Sequence, residues 1–300
     1  MARNVGLIGV GAMGEPMATA LLRAGFAVTV CANRAHAPVE RLVALGAADG
    51  GDAKGVAAAS EVVITMVPDA PQVEEVLFTR GAADAAKRGT LFIDMSTISP
   101  VATQRFAAKL AERGLRFVDA PVSGGPARAA TGTLTIMAGS SEADWADAEA
   151  VLKGMGTPTR VGDVGMGEVV KLVNQIIIAN TMLANIEGLV FAAKAGADVA
   201  AVRDVILTAT GGNYLLDQWL PKTWLSGSWE GGFKLDLLRK DVAAALDSAR
   251  ALGVPMPALG LAYQMYTAAS GDGHGNDDYS AVADFYERAS GTRVTLAPVK

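Results

Sequence analysis

Two rhythms of apolar and polar positions divide this chain. Up to the glycine-rich stretch Gly162-Asp163-Val164-Gly165-Met166-Gly167, short continuous apolar runs alternate with longer stretches in which apolar residues recur every third or fourth place. The runs Val5 to Val10, Val28 to Cys31, Val62 to Met66, Leu91 to Asp94, Phe117 to Asp119 and Leu134 to Ala138 predict strands. The stretches Met13 to Ala24, Pro38 to Leu45, Pro71 to Leu77, Pro100 to Arg113 and Glu142 to Leu152 predict helices. Strands that are apolar throughout are covered on both faces. With helices between them, they make a mainly parallel sheet in a doubly wound α/β domain.

Beyond the glycine-rich stretch the pattern is almost wholly helical, beginning with one long run from Glu168 to about Ala195. The expected division is an α/β domain over 1–164 and an all-α domain over 165–300. Ser270 to Asp278 is a polar, glycine-rich loop. The segment Lys171 to Ala195 is very apolar, but Asn174, Gln175, Asn180, Asn185 and Glu187 interrupt it, which predicts a buried helix rather than a membrane span. A helix this apolar also exposes more hydrophobic surface than one small domain covers, so a homodimer or homotetramer is expected.

Composition narrows the partners. The 300 residues suit two domains, and 51% hydrophobic against 19% charged residues leaves no sign of disorder. A net charge of −5 gives no electrostatic reason to bind nucleic acid or an anionic membrane, so an anionic ligand needs a local cluster of donors. The single Cys31 excludes an internal disulfide and suits a reducing compartment. Met1-Ala2-Arg3-Asn4 leads at once into the first strand without a leader pattern, and a cytoplasmic location is expected. With only His36 and His274 and no cluster at ligand spacing, a catalytic metal is not expected.

Gly9-Val10-Gly11-Ala12-Met13-Gly14 is a GxGxxG motif after an apolar strand and before an amphipathic helix, the context in which it binds a dinucleotide in a Rossmann-type sheet. Its glycines permit a tight turn and bring a pyrophosphate onto a helix amino terminus. After the next strand, Cys31-Ala32-Asn33-Arg34 lacks the carboxylate that holds a ribose 2′-hydroxyl in NAD sites. Arg34 and Asn33 instead suit a 2′-phosphate, so NADP(H) is expected in preference to NAD(H). His36 borders the same turn, where a solvated histidine is the simpler reading. Met66-Val67-Pro68 and Asp94-Met95-Ser96-Thr97 close two further strands, where such sheets hold their ligands. Ser96-Thr97 also reads as a cap for the helix from Pro100.

Two more segments carry chemistry. Asp119-Ala120-Pro121-Val122-Ser123-Gly124-Gly125 sets a hydroxyl beside two unhindered backbone donors, an arrangement suited to a carboxylate. Lys171, Asn174 and Gln175, spaced i, i+3 and i+4, share one face of an apolar helix. Desolvation there, with a second cation such as Lys240 nearby, should lower the lysine pKa and let it exchange a proton near neutrality.

Together with Gly132-Thr133-Leu134 and Lys240-Asp241, these segments make the chain resemble the β-hydroxyacid dehydrogenase family along nearly its whole length. The resemblance implies that Ser123, Gly124 and Gly125 hold a substrate carboxylate. It makes Lys171 the general acid in reduction, and has Asn174 hold the substrate or orient the lysine. It places Lys240 near nicotinamide and substrate, and Val67, Pro68 and Thr97 against the cofactor. Gln175 after Asn174, the basic Arg128, and Phe233-Lys234-Leu235-Asp236 resemble the branch that reduces tartronate semialdehyde. Relatives acting on 3-hydroxyisobutyrate, succinic semialdehyde or glyoxylate remain open, as does a non-catalytic NADPH-binding module. Trp219, Trp224 and Trp229 read as core or subunit-contact residues, and Phe233 as a residue near the site or an apolar helix anchor.

Overall fold

Every apolar run read as a strand in the first half forms one, whether rich in β-branched residues, as in Val62 to Met66, or mixed with Leu and Phe, as in Leu91 to Asp94. The computed structural model describes residues 4–296; Met1 to Arg3, including most of the segment read for a leader, and residues 297–300 lie outside the described residues. The strands are β1 (Asn4–Ile8), β2 (Ala27–Cys31), β3 (Ala48–Asp49), β4 (Val62–Thr65), β5 (Leu91–Asp94), β6 (Arg116–Asp119), β7 (Val122–Ser123), β8 (Leu134–Gly139) and β9 (Gly156–Gly162). They form one sheet in the order β3-β2-β1-β4-β5-β6-β8-β7, with β9 paired to β8. Pairs from β3 through β6 are parallel, whereas β8 runs antiparallel to β6 and β7. This is the doubly wound α/β domain that the alternation of strands and helices predicts.

Three strands had no signal in the sequence. β3 and β7 are two residues long, too short for any period to register. β9 reads Gly-Thr-Pro-Thr-Arg-Val-Gly and pairs only with β8; such an edge position tolerates a proline and polar side chains.

The helices of this half are α1 (Gly14–Arg23), α2 (Ala37–Ala44), α3 (Ala53–Ala59), α4 (Ala70–Glu74), α5 (Ala82–Ala85), α6 (Pro100–Ala111), α7 (Gly125–Thr131) and α8 (Glu142–Leu152). A wide turn, Glu75–Thr79, extends α4. The sheet buries both faces: Leu7, Val30, Ile64 and Ile93 pack to one side, and Ile8, Val63, Phe92 and Phe117 to the other. One assignment changes. Ser99, not Ser96 or Thr97, caps α6, its hydroxyl accepting the Ala102 N–H at 3.1 Å. A cap must immediately precede the first helical residue, here Pro100.

The remaining helices are α9 (Met166–Lys194), α10 (Val199–Thr208), α11 (Leu235–Leu252), α12 (Pro257–Gly271) and α13 (Ala283–Ser290). The chain forms two compact units, 1–171 and 172–300, so α9 begins in the first and runs on in the second. Within the second unit Leu172, Ala179, Met182, Ile186 and Leu189 of α9 share a core with Leu238, Val242 and Tyr266. The Tyr266 hydroxyl donates to the Ala179 carbonyl at 3.1 Å. Trp224 is fully buried, Trp219 and Trp229 pack against the same core, and Phe233 stacks edge-on against Tyr279.

The expectation that this helix is buried holds for one face only. Val173, Ile177 and Phe191 are 48%, 58% and 76% exposed. A helix apolar all round gives no periodic clue to which side the domain covers.

Candidate functional site

The turn between β1 and α1 contains glycines that differ in purpose. A Cβ on Gly9, which has φ +107°, would run into the Met66 carbonyl, and one on Gly14 would run into the Gly9 carbonyl. Those two glycines let the chain fold tightly upon itself. Gly11 is exposed and would meet nothing within 4 Å. Open space above a glycine turn at the start of α1 is the cradle a pyrophosphate requires, and on this observation the residues fit a dinucleotide.

Beside the turn lies a pocket of about 330 Å³. It gathers Gly9, Asn33, Val67 and Pro68 from three separate segments. Arg34 and His36 are exposed and stand outside its lining, as do Met66 and Thr97, which close β4 and β5. The Val67 N–H donates to the Ser96 hydroxyl at 3.0 Å, which ties those two strand ends together. Asp94 supports the same corner: it accepts the Thr65 hydroxyl at 2.7 Å and the Ser96 N–H at 3.2 Å.

Lys54, Asp52, Glu75 and Arg80 also line the pocket and were not read from the sequence. Nothing in their spacing marks them, because they come from α3 and the turn after α4. Cys31 lies in the same wall; burial, with Asp52 and Asp49 adding to it, pushes its thiol up to about 11. The thiol is therefore protonated and unreactive at neutral pH.

Ser123 closes β7, its register set by the pairing Ser123↔Thr135 on β8. Gly124 and Gly125 follow with φ +133° and +67°, a region that side chains rarely adopt. At Gly124 a Cβ would also stand 2.8 Å from Arg128 Cβ, so the Arg128 stem lies directly over the loop.

Asp119, at the end of β6, fixes the start of α9. Its carboxylate is wholly buried and accepts the Gly165 N–H at 2.6 Å and the Glu168 N–H at 3.0 Å. These are amino-terminal donors of α9, which have no partner within the helix itself. A Cβ on Gly167 would stand 2.7 Å from Asp119 Oδ2, so the fit admits no side chain there. Burial raises Asp119 to about 6, against the lowering effect of the two N–H bonds. One turn on from Glu168, Lys171 is 7% exposed. A surface lysine is excluded.

In the second unit the polar residues of the motifs form a chain of contacts. The Asn174 amide donates to Gln175 Oε1 at 2.8 Å, and the Gln175 amide donates to Asp241 Oδ2 at 2.7 Å. Asp241 Oδ1 lies 2.8 Å from the Lys240 ammonium. Gln175 and Asp241 are 1% and 2% exposed, so Lys240-Asp241 is not the solvated surface pair its spacing alone would suggest. With its NH2 group engaged, Asn174 keeps its amide oxygen as an acceptor. The contact between Gln175 and Asp241 was not legible, since 66 residues separate the two.

Comparison with known proteins follows the same two units. Residues 4–172 match the NAD binding domain of 6-phosphogluconate dehydrogenase. Residues 165–286 match the NAD-binding family of NADP-dependent 3-hydroxyisobutyrate dehydrogenase. The chain is 39% identical over 295 residues to 2-(hydroxymethyl)glutarate dehydrogenase of Eubacterium barkeri, covering 97% of each chain. It is 38% identical over 286 residues to 2-hydroxy-3-oxopropionate reductase of Escherichia coli K12, covering 95% of this chain and 97% of that one. Among solved structures it resembles Mycobacterium tuberculosis 3-hydroxyisobutyrate dehydrogenase with L-serine. There the TM-score is 0.88 and the identity 32%, with coverage of 95% of this chain and 99% of that one.

Proposed function

The chain belongs to the 3-hydroxyisobutyrate dehydrogenase-like family of NAD(P)-dependent β-hydroxyacid dehydrogenases, and from that premise we propose that it reduces tartronate semialdehyde to glycerate with NADPH. The observation that carries this reading is the buried Lys171 at the anchored start of α9, followed by the Asn174-Gln175 pair. The similarity to an enzyme named 2-hydroxy-3-oxopropionate reductase supports the substrate.

In this reading Gly9 to Gly14 hold the cofactor pyrophosphate, and Asn33 and Arg34 the adenosine ribose. Met66, Val67, Pro68, Thr97 and Lys240 contact the remainder. When bound, the reduced nicotinamide supplies a hydride to the aldehyde carbon. Ser123, Gly124 and Gly125 hold the substrate carboxylate by hydroxyl and backbone donors. Lys171 delivers its proton to the carbonyl oxygen as negative charge grows there, and in oxidation takes it back. Asn174, its orientation set through Gln175 and Asp241, accepts a hydrogen bond from a substrate hydroxyl or the lysine.

The test is a panel of short aldehydes and keto acids, each assayed with NADPH and with NADH. Tartronate semialdehyde should give the highest kcat/KM, and NADPH should outperform NADH. Preference for 2-formylglutarate, succinic semialdehyde or methylmalonate semialdehyde would move the chain to another branch of the family. Cofactor binding without turnover on any of them would make it a non-catalytic module.

The proposed enzyme is cytoplasmic and self-associates. The exposed apolar stripe of α9 supports pairing with a second copy of the chain, since large patches of this kind mark association sites. Light scattering of the wild type at micromolar concentration should give a dimer or tetramer. Ile177→Glu together with Phe191→Glu should reduce it to a monomer; a wild-type monomer would refute the assembly.

A further inference from the structure

Nothing in the proposed chemistry uses the polar loop Ser270 to Asp278, yet it ends on a carboxylate that is fully buried. Asp278 Oδ2 accepts the Phe233 N–H at 2.9 Å, and Oδ1 accepts the Ser280 N–H at 3.0 Å. The Trp219 indole N–H lies 3.2 Å from both oxygens. A Cβ on Gly232, where φ is +65°, would run into Oδ2, so the backbone before Phe233 sits directly on the carboxylate. All of these donors are neutral, no cation pairs with Asp278 among the described residues, and burial raises its carboxyl above the ordinary range. A buried charge without a counter-ion is costly and needs a compensating role.

The segment that Asp278 holds is the entry to α11. That helix has no side-chain cap of its own. Its first N–H, on Leu235, donates to the Asp277 carbonyl at 2.8 Å, and Lys234 pairs with Asp278 as an antiparallel bridge. Asp236 in the first turn accepts the Ser270 hydroxyl at 2.7 Å, and the Lys234 ammonium donates to Asn276 Oδ1 at 2.9 Å. The loop thus seats the start of α11, supplying partners that a helix terminus lacks. Asp278 is the one buried residue of that loop.

Lys240 and Asp241 stand in the second turn of the same helix. Asp241 holds the Gln175 amide at 2.7 Å, and Gln175 in turn holds Asn174. A slip of α11 by one residue would carry its side chains about 1.5 Å along the axis and about 100° around it, which breaks a hydrogen bond. Misplacing a reacting group by about 1 Å can cost about a hundredfold in rate.

We propose that Asp278 is a positioning residue for the reaction: by fixing where α11 begins, it aligns the Asp241–Gln175–Asn174 chain and the Lys240 ammonium beside it. The inference rests on the reading of the chain as a semialdehyde reductase.

The test compares kcat, substrate KM and NADPH affinity of full-length variants at a temperature where circular dichroism shows each one folded. In Asp278→Asn the amide oxygen can accept one of the Phe233 and Ser280 N–H groups, while its NH2 faces the other. Its kcat should fall about tenfold or more, with NADPH affinity within about twofold of wild type. Glu287→Gln is the matched control. That carboxylate is also buried, at 5% exposed, but accepts the Trp224 indole and the Val294 N–H. It should lower the unfolding temperature and leave kcat within about twofold. In a Gln175→Leu background, Asp278→Asn should cost less than about threefold, because the chain it aligns is already broken. Lys234→Met with Ser270→Ala removes two exposed bonds of the same seat and should lower kcat about threefold, which decides the matter if Asp278→Asn does not fold. A kcat for Asp278→Asn no lower than that of Glu287→Gln, or full additivity with Gln175→Leu, would overturn the role. So would an unchanged kcat in the milder double variant where Asp278→Asn does not fold. Absence of wild-type turnover on every short semialdehyde would instead overturn the reading beneath it, and the role with it.

Discussion

Lys171→Ala should lower kcat for semialdehyde reduction about a thousandfold, within the range a positioned general acid supplies. NADPH affinity, read by quenching of its fluorescence, should stay near the wild-type value, because the glycine turn and the pocket beside it lie in other segments. Lys171→Arg keeps the charge but holds its proton too tightly to give it up near neutrality, so it should be nearly as inactive. KM should change much less than kcat in both variants, since the lost interaction strengthens as the alkoxide forms. A kcat within tenfold of wild type for the alanine variant would remove the lysine from the mechanism.

Asp119→Asn should cost about 2–4 kcal/mol of stability near pH 4, where the buried carboxyl contributes in full, and a large part of kcat. An amide oxygen can still accept one of the Gly165 and Glu168 N–H groups, but its NH2 would face the other and leave a buried donor without a partner. The turn of α9 that leads to Lys171 then shifts.

The pH dependence has a definite sign. Burial raises Asp119 to about 6 from an ordinary 3.8, so between those values the folded chain binds more protons than the unfolded one. Its contribution is therefore fully present below about pH 4 and is lost as pH rises through 6, a change of about 3 kcal/mol. In urea melts at a series of pH values, the stability gap between wild type and Asp119→Asn should be widest near pH 4 and narrow toward pH 7. A gap that stays constant would refute the buried, raised carboxylate.

These two residues differ in how far the sequence alone reveals them. Lys171 is legible through its motif: it shares one face of an apolar helix with amides at i+3 and i+4, and Gly165 and Gly167 precede it. Asp119 reads only as the end of a strand and the first letter of a loop motif. Its bond to Gly165 spans 46 residues. The same contrast separates Asn33, inside a motif, from Arg80, which is defined only by how the chain returns. Gln175 and Asp241 both stand in motifs, and only their contact depends on the fold.

Periodicity and punctuation determined the alternation of strands and helices, the glycine turn, and the change to an all-helical second half. Those features follow from local preferences: β-branched runs, helical spacing, and glycines where the backbone admits no Cβ. Tertiary structure alone decided that Asp119 anchors α9, that Lys54 and Arg80 share a pocket wall, and which side of α9 stays uncovered. Such pairings depend on which distant segments the sheet order and the helical core bring within hydrogen-bond reach, and no local pattern along the chain encodes them.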